Sequence, residues 1–339
     1  MKIENYFVGT ALALLATVGA GPASAWTPFN TVGNILISDQ FNNRVIEVNN
    51  RGDIVWSWGN GPADFSANSV VGVNDAERIG DDTLMAGTGL PPGIDPFCKK
   101  KNGCPDERVM LVDRAGKILW QYGQFGVVGN GANELNTPVQ ATWTPKNTVY
   151  ITDQGNNRII EVDMKNNILW EFDNVSSPNS ALLLNNGNIL IADEGNNRVI
   201  EVKKSTKAIV ATYTAQGTMN APGFASELPD GTFLITDGGN NRIIIVDHND
   251  NVVFHYYTNK QKGSNISPAP SHAVMTQEGN IVISDQINER VIVIDPKKHI
   301  VHQYGILNTP GYGTSNTQQG IDWPYDAKVI GDWTGLTEP

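Results

Sequence analysis

A ten-residue phrase recurs along this chain, and a phrase repeated at this spacing predicts a fold built from like units. It begins at Asp39 as "DQFNNRVIEV" and returns as "DQGNNRIIEV", "DEGNNRVIEV", "DGGNNRIIIV" and "DQINERVIVI". From Arg158 onward, the arginine of the phrase recurs after 40, 44 and 48 residues. The longer gap between Arg44 and Arg158 holds a sixth copy, "ERVMLVDRAGKILWQYG", whose front half is displaced by an insert.

Each copy divides into four short strands. In the third copy these are "QATWTP", "TVYITD", "RIIEVD" and "ILWEF", separated by turns rich in Asn, Gly and Lys. Val, Ile, Trp and Tyr favour strands, whereas Asn and Gly tolerate the positive φ of tight turns. Four strands in about 40–50 residues is the spacing of a propeller blade. The sequence therefore predicts an all-β fold, a six-bladed β-propeller of four-stranded blades.

The two ends of the repeat region complement each other. The first copy begins at "GNILISD" with no clear inner strand before it, and the last copy is followed by "WPYDAKVIGDW". That segment resembles the inner strand "VNDAERIGDD" of the second copy. We therefore expect the C-terminal strand to pair into blade 1, which closes the ring and removes a free sheet edge.

The charged residues of the phrase are predicted to be structural. The Asp ends the second strand of a blade, the Asn pair turns the chain, and the Arg opens the third strand. A residue present in every blade serves the architecture more economically than a catalytic site, and Asp and Arg that recur together predict a charge-assisted pair. These residues are Asp39, Arg44, Arg108, Asp153, Arg158, Asp193, Arg198, Asp237, Arg242, Asp285 and Arg290.

The phrase D-x-x-N-N-R-[VI]-I-x-V, followed by a turn and an apolar strand, resembles the NHL-repeat β-propellers over nearly all of the chain after its N-terminal segment. The segments "GDIVWSWG", "GKILWQYG" and "NNILWEF" are also similar to the blades of bacterial arylsulfotransferase propellers. The first resemblance implies a ligand- or protein-binding module or a lyase. The second implies a channel histidine that accepts sulfate. Because fold alone does not select among these activities, the individual residues must decide.

The N-terminus predicts export. Lys2 precedes the apolar stretch "YFVGTALALLATVGAG", and "ASA" at residues 23–25 has the small-x-small pattern of a cleavage site. We expect a signal peptide at residues 1–25 and a propeller at residues 26–339. Cys98 and Cys104, the two cysteines of the chain, lie in an insert at about residues 87–107. In an oxidising compartment, periplasmic or extracellular, they are predicted to form a disulfide.

The charge of the chain restricts its partners. A formal net charge of −11 argues against nucleic acid, because no basic tract is long enough to neutralise phosphates. The run Lys99-Lys100-Lys101 is interpreted as a solvated loop tip. No stretch after residue 25 is long and apolar enough to cross a bilayer. A monomer is expected, with a protein, glycan or small molecule bound at the face where the long loops collect.

A second alignment concerns the inner strands, which begin "VNDA", "PVQA", "PNSA", "PGFA", "PSHA" and "PYDA". The Ala is constant, whereas the residue before it varies between blades. These six candidate ligand-binding residues are Asp75, Gln140, Ser180, Phe224, His272 and Asp326. Blade order makes His272, Asp326 and Asp75 a continuous arc, which suits a divalent metal ion or an acid/base set with His272 as the catalytic residue. The alternative is a polar ring that hydrates an open channel.

Two classes of function follow. The first is a binding module that presents its loop-rich face, since the sequence carries none of the common catalytic motifs. The second is an enzyme that uses the central channel, either arylsulfotransferase-like or a metal-dependent lyase or hydrolase. Acidic neighbours around His272 disfavour a sulfate ester, because like charges repel, and they suit a metal better. We therefore favour binding over catalysis.

Overall fold

The computed structural model describes residues 28–312 and 320–337. Six four-stranded antiparallel sheets form the blades of a β-propeller, which confirms the predicted fold. The predicted signal peptide lies outside the described residues. None of the helices within the described ranges is long and apolar enough to span a bilayer.

The strands are numbered in chain order, and each blade runs from the axis outward. Blade 1 contains β24 (Pro324–Val329), β1 (Ile35–Asp39), β2 (Arg44–Val48) and β3 (Ile54–Trp58). Blade 2 contains β4 (Val73–Ile79), β5 (Asp82–Gly87), β6 (Arg108–Val112) and β7 (Ile118–Gly123). Blade 3 contains β8 (Pro138–Trp143), β9 (Thr148–Asp153), β10 (Arg158–Asp163) and β11 (Ile168–Phe172).

Blades 4 to 6 repeat the pattern. Blade 4 contains β12 (Pro178–Leu183), β13 (Ile189–Asp193), β14 (Arg198–Lys203) and β15 (Ala208–Tyr213). Blade 5 contains β16 (Pro222–Glu227), β17 (Phe233–Asp237), β18 (Arg242–Val246) and β19 (Val252–Tyr257). Blade 6 contains β20 (His272–Met275), β21 (Ile281–Asp285), β22 (Arg290–Ile294) and β23 (Ile300–Gly305). Short 3₁₀ turns occupy Gln154–Asn156, Glu194–Asn196, Gly238–Asn240 and Gln286–Asn288.

The core lies between the blades. The second and third strands of a blade are covered by neighbouring blades on both faces, so they carry near-continuous apolar runs such as "ILIAD" in β13. The outer strands keep one open face, and β15 accordingly alternates between exposed and half-buried positions. Burial against two neighbours explains why single blades do not need a core of their own.

The C-terminal strand closes the ring. Strand β24 pairs antiparallel with β1, with Ala327 opposite Ile37. The side-chain amide of Asn42, in the first repeat, donates to the carbonyl oxygen of Gly320 at 2.7 Å. This is the predicted closure, and it joins residues from the two ends of the described chain into one sheet.

The sequence predicts that the repeat Asp and Arg pair within or between blades, and in the structure they pair within a single blade. The guanidinium Nε donates to the aspartate at 2.6–2.8 Å in five blades, and both partners are largely buried. In blade 2 the insert removes the usual partner, and Arg108 pairs instead with Asp106 at 2.5 Å. The aspartate also accepts backbone N–H groups from the incoming connection, as Asp153 does from Asn136 at 2.8 Å. In blades 1 to 5 the pair therefore fixes the start of the inner strand of its own blade.

The second Asn of the phrase links one blade to the next. It adopts the left-handed conformation, which Asn tolerates well. Its side-chain oxygen accepts a backbone N–H just before the next inner strand, as Asn157 does from Ser177 at 2.8 Å. In two blades the position holds a glutamate: Glu107 accepts from Thr137 at 2.5 Å, and Glu289 accepts from Trp323 at 2.7 Å.

Candidate functional site

The six variable inner-strand residues form an axial ring, as the alignment predicts. Asp326, Asp75, Gln140, Ser180, Phe224 and His272 come from β24, β4, β8, β12, β16 and β20 in that order. All six are at most 5% exposed. The ring is therefore a packed layer inside the channel. It does not line an open, hydrated channel, which was the alternative considered from the sequence.

Lys328 supplies the positive charge at the centre of this arc, and sequence reasoning missed it. Its ammonium contacts Oδ1 of Asp75, donates to Oδ2 of Asp326 at 2.5 Å and to the carbonyl oxygen of Ala76 at 3.1 Å. The side chain is fully buried. The signal was available, because Lys328 follows Asp326 by two residues and side chains two apart on a strand share a face.

Three carboxylates surround this single ammonium. Burial raises the pKa of Asp75 to about 6, although Lys328 lowers it. Burial, reinforced by Asp75, raises the pKa of Glu77 well above its usual range. The pKa of Lys328 is raised, because the attraction of the carboxylates exceeds the effect of its burial. Since one cation cannot balance three ionised carboxylates in a buried site, part of the cluster holds protons near neutral pH.

His272 lies at the edge of the same cluster. Its Nδ1 is 3.0 Å from Oδ1 of Asp326, and its ring packs on Phe224 with 3.7 Å between ring centroids. Burial and the nearby Lys328 lower the pKa of His272 well below its usual range, so the imidazole is neutral. A neutral imidazole beside a carboxylate is a chemically competent base, but here it is enclosed.

The predicted metal set is Asp75, His272 and Asp326. These residues do converge, yet the ammonium of Lys328 already bridges the two carboxylates. A divalent ion would have to displace that ammonium. Among the described residues, no group of three or more ligating side chains is arranged to hold a metal ion.

The ring side chains also carry a structural task. The backbone N–H of Ala76 donates to Asp326 at 3.2 Å, and that of Ala141 donates to Asp75 at 3.1 Å. The N–H of Ala181 donates to Oε1 of Gln140 at 2.6 Å. Each of these ring residues thus holds the constant alanine of the following blade, which explains why the variable position is polar in blades 1, 2 and 3.

A polar layer closes the channel on the side of the long connections. The hydroxyl of Tyr325 donates to Asn179 at 3.1 Å, and Gln40 donates to Asn74 at 2.6 Å. Gln286 extends the network to Gln40 at 3.0 Å. The sequence signal for this layer is the polar residue after the repeat Asp, which the alignment of inner strands did not use. A cavity of about 10 Å³ remains beside the ring, enough for about one water molecule.

The insert is the largest irregular feature of the loop face, the propeller face that carries the long connections and residues 87–107. Cys98 and Cys104 form the predicted disulfide, with 6.0 Å between their Cα atoms. Both sulfurs lie in a small apolar cluster with Phe41, Val71 and Leu90. The insert therefore shares this apolar cluster with the propeller, which holds it in place.

Apolar side chains nonetheless remain exposed on this face. Phe97 is 38% exposed and Tyr312 is 46% exposed, and their rings meet edge to face with centroids 5.7 Å apart. Ile94 of the same insert is 50% exposed. The lysines at positions 99–101 form the exposed tip of the disulfide loop. Adjacent apolar and basic groups on the surface are characteristic of docking sites for other molecules.

Comparison with known proteins agrees with the fold. A family model described as outer membrane protein assembly factor BamB matches residues 14–213. None of the curated proteins matches the chain.

Similar solved structures show the fold alone. A protein of unknown function from Bacteroides caccae is 14% identical, with 80% of this chain and 93% of that chain covered and a TM-score of 0.56. Virginiamycin B lyase from Staphylococcus aureus is 12% identical, with 81% and 85% covered and a TM-score of 0.51. The WD40 β-propeller domain of Doa1 is 12% identical, with 83% and 87% covered and a TM-score of 0.51.

Proposed function

The chain belongs to the family of the outer membrane protein assembly factor BamB, and we propose that it is an exported propeller that binds another protein through its loop face. The observation that carries this proposal is the rigid insert, which displays Phe97 beside Tyr312 and a tip of three lysines. The family's description as an assembly factor supports a role in holding partner proteins rather than transforming them.

The surroundings of the axial ring support binding over catalysis. The ring is buried, the polar layer of Tyr325 and Asn179 covers it, and the adjoining space holds about one water molecule. A substrate would need this layer to open. The loop face needs no such rearrangement, because its apolar side chains are already exposed and its insert is pre-organised.

The chemistry of the insert specifies the partner. An aromatic pair favours an apolar pocket, and the lysines at positions 99–101 favour carboxylates around that pocket. The chain as a whole is strongly acidic, with a formal net charge of −11, so the basic tip also orients an acidic partner toward this loop.

Export is part of the proposal. The disulfide between Cys98 and Cys104 suits an oxidising compartment, periplasmic or extracellular. Cleavage after Ala25 would leave a mature chain of residues 26–339, which we propose acts as a monomer. Mass spectrometry of the mature N-terminus would test the cleavage position directly.

We expect a photo-crosslinking amino acid at position 97 to form an adduct with one partner protein in the native host. Phe97 is exposed and adjoins Tyr312, so a docked protein must approach it. Substituting Glu for the three lysines at positions 99–101 should reduce the adduct at least tenfold, because the electrostatic contact is reversed. The measurement is quantitative immunoblotting of the adduct, followed by mass spectrometry.

The matched control places the same amino acid at Val253, which is 60% exposed on the outer strand β19. No adduct is expected there. Equal adducts at both positions, or an adduct at position 97 that does not respond to the lysine substitutions, would contradict the proposal.

The second candidate is an enzyme that uses the channel, as the resemblance to arylsulfotransferase propellers implies. The neutral imidazole of His272, 3.0 Å from Asp326, is the feature that favours it. The acidic cluster disfavours a sulfate ester, since like charges repel. The catalytic role of His272 and the metal role of Asp75, His272 and Asp326 stay predictions, the latter tested by metal analysis of protein purified without chelators.

We expect no phenol-dependent release of 4-nitrophenol from 4-nitrophenyl sulfate by the chain from Trp26. The reason is the enclosed and acidic surroundings of the only ring histidine. A His272→Ala variant serves as the comparison. Release of 4-nitrophenol that requires phenol and disappears in this variant would establish that the protein is an enzyme and overturn the binding proposal.

A further inference from the structure

A large cavity lies at the other end of the axis, on the face opposite the loop face. It has a volume of about 590 Å³, within the range of small-molecule sites. One wall consists of the ends of the inner strands of blades 3, 4 and 5. The other wall is the segment after β24, which carries Trp333 and Leu336.

The wall formed by the C-terminal segment is fixed in place. Leu336 is buried and belongs to the same apolar cluster as Leu182 and Val274 of the inner strands, so it seals the channel beneath the cavity. The indole of Trp333 donates to the carbonyl oxygen of Thr276 at 2.9 Å. Gln277 donates to the carbonyl oxygen of Gly331 at 2.8 Å. The cavity is therefore a pre-formed bowl rather than a transient gap.

The lining of the cavity leaves apolar side chains exposed. Trp333 is 47% exposed and Leu183 is 38% exposed, an arrangement that leaves apolar area open to a ligand.

The charges of the lining are opposite and separated. Lys204 and Glu161 neutralise each other at 2.6 Å. Lys146, in the turn after β8, and Glu227, at the end of β16, make no side-chain hydrogen bond or ion pair within the described part of the chain. Blade 4 lies between them. The cavity thus presents one free cation on one side and one free anion on the other.

We propose that this cavity binds a short zwitterionic peptide with apolar side chains. Its carboxylate meets Lys146, its terminal ammonium meets Glu227, and its side chains lie against Trp333 and Leu183. A single amino acid is too small, because its ammonium and its carboxylate are both attached to one Cα, whereas Lys146 and Glu227 lie on blades 3 and 5 with blade 4 between them. A tripeptide extends roughly 10 Å and carries its charges at opposite ends.

Calorimetric titration of the full mature chain with the tripeptide Ala-Leu-Ala tests the proposal. We expect binding that falls at least tenfold when the peptide is N-acetylated and at least tenfold when it is C-amidated. In Glu227→Gln, N-acetylation should make little further difference. In Lys146→Gln, C-amidation should make little further difference. Such coupling between a substitution and a blocked peptide end identifies which side chain binds which end of the peptide.

Lys165→Gln is the matched control, since Lys165 is exposed on blade 3 but does not line the cavity. It should bind like the parent chain. The proposal is overturned if the tripeptide does not bind at millimolar concentration, if blocking both ends leaves the affinity unchanged, or if hexanoate binds as tightly as the peptide. The cavity and the loop face are at opposite ends of the propeller, so this test is independent of the partner-binding experiment.

Discussion

Replacing Lys328 by methionine should lower the free energy of unfolding by about 3–5 kcal/mol, the usual result of removing one partner of a buried ion pair. The ammonium contacts the carboxylates of both Asp75 and Asp326, and no solvent reaches it. Without it, the buried carboxylates of this cluster face one another with no cation. The measurement is equilibrium unfolding in urea at pH 8, monitored by fluorescence.

The loss of unfolding free energy in Lys328→Met should increase with pH. Burial raises the pKa of Asp75 to about 6 and that of Glu77 well above its usual range, even with the lysine present. Groups with raised pKa values stabilise the fold at low pH, and that stability is lost as pH rises through the folded pKa. Removing the cation raises these pKa values further, so the loss should be smaller at pH 5 than at pH 8.

Two variants make the result specific. Lys297→Met removes an exposed lysine and should leave stability within about 0.5 kcal/mol of the parent. Adding Asp75→Asn and Asp326→Asn to Lys328→Met should recover most of the loss, because the amide oxygens still accept the N–H groups of Ala141 and Ala76. A loss that persists in this triple variant would show that packing, and not charge, explains the role of Lys328.

The second large effect concerns the two glutamates that replace Asn at blade junctions. Burial raises the pKa of Glu107 to about 7 and that of Glu289 to about 7. Asp322, beside Glu289, has its pKa raised to about 8 by burial and by that glutamate. The position is suited to a neutral side chain, since four other blades place an Asn there.

We expect Glu107→Gln with Glu289→Gln to stabilise the protein at pH 8 and to flatten its pH profile. The folded pKa of each glutamate lies above its unfolded value. The parent therefore has the full stability contribution below about pH 4.5 and loses it as pH rises through about 7. Between pH 5 and pH 8 this loss amounts to about 1–2 kcal/mol per site, after allowance for solvent screening.

Urea unfolding at pH 5, 6, 7 and 8 measures this profile. Glu278→Gln removes an exposed glutamate from the turn after β20 and should leave the profile of the parent unchanged. A double variant that is less stable than the parent at pH 8 would refute the assignment. So would a parent whose stability does not fall between pH 5 and pH 8.

The sequence alone determined the propeller, its six blades and its closure. Strand pattern and turn chemistry are local, and each copy carries both, so "GNN" turns and apolar runs could be read without contacts. The same locality identified the pairs such as Asp153 and Arg158, and the short loop that Cys98 and Cys104 close. The axial ring was also predictable, because strand alternation fixes which residues face the axis once the alanines are aligned.

The contacts that the ring residues and their neighbours make were decided by the tertiary structure. Lys328 meets Asp75 across 253 positions of the chain, and Tyr325 meets Asn179 across 146. The cavity of about 590 Å³ on the face opposite the loop face exists because the segment with Trp333 and Leu336 packs back across blades 6 and 1. The repeat makes every blade alike, whereas these contacts depend on which variable residues become neighbours when the ring closes. Contacts between residues far apart in a symmetric ring carry no local sequence signal. This is why the fold and the positions of the ring residues were predictable, whereas the partners of those residues were not.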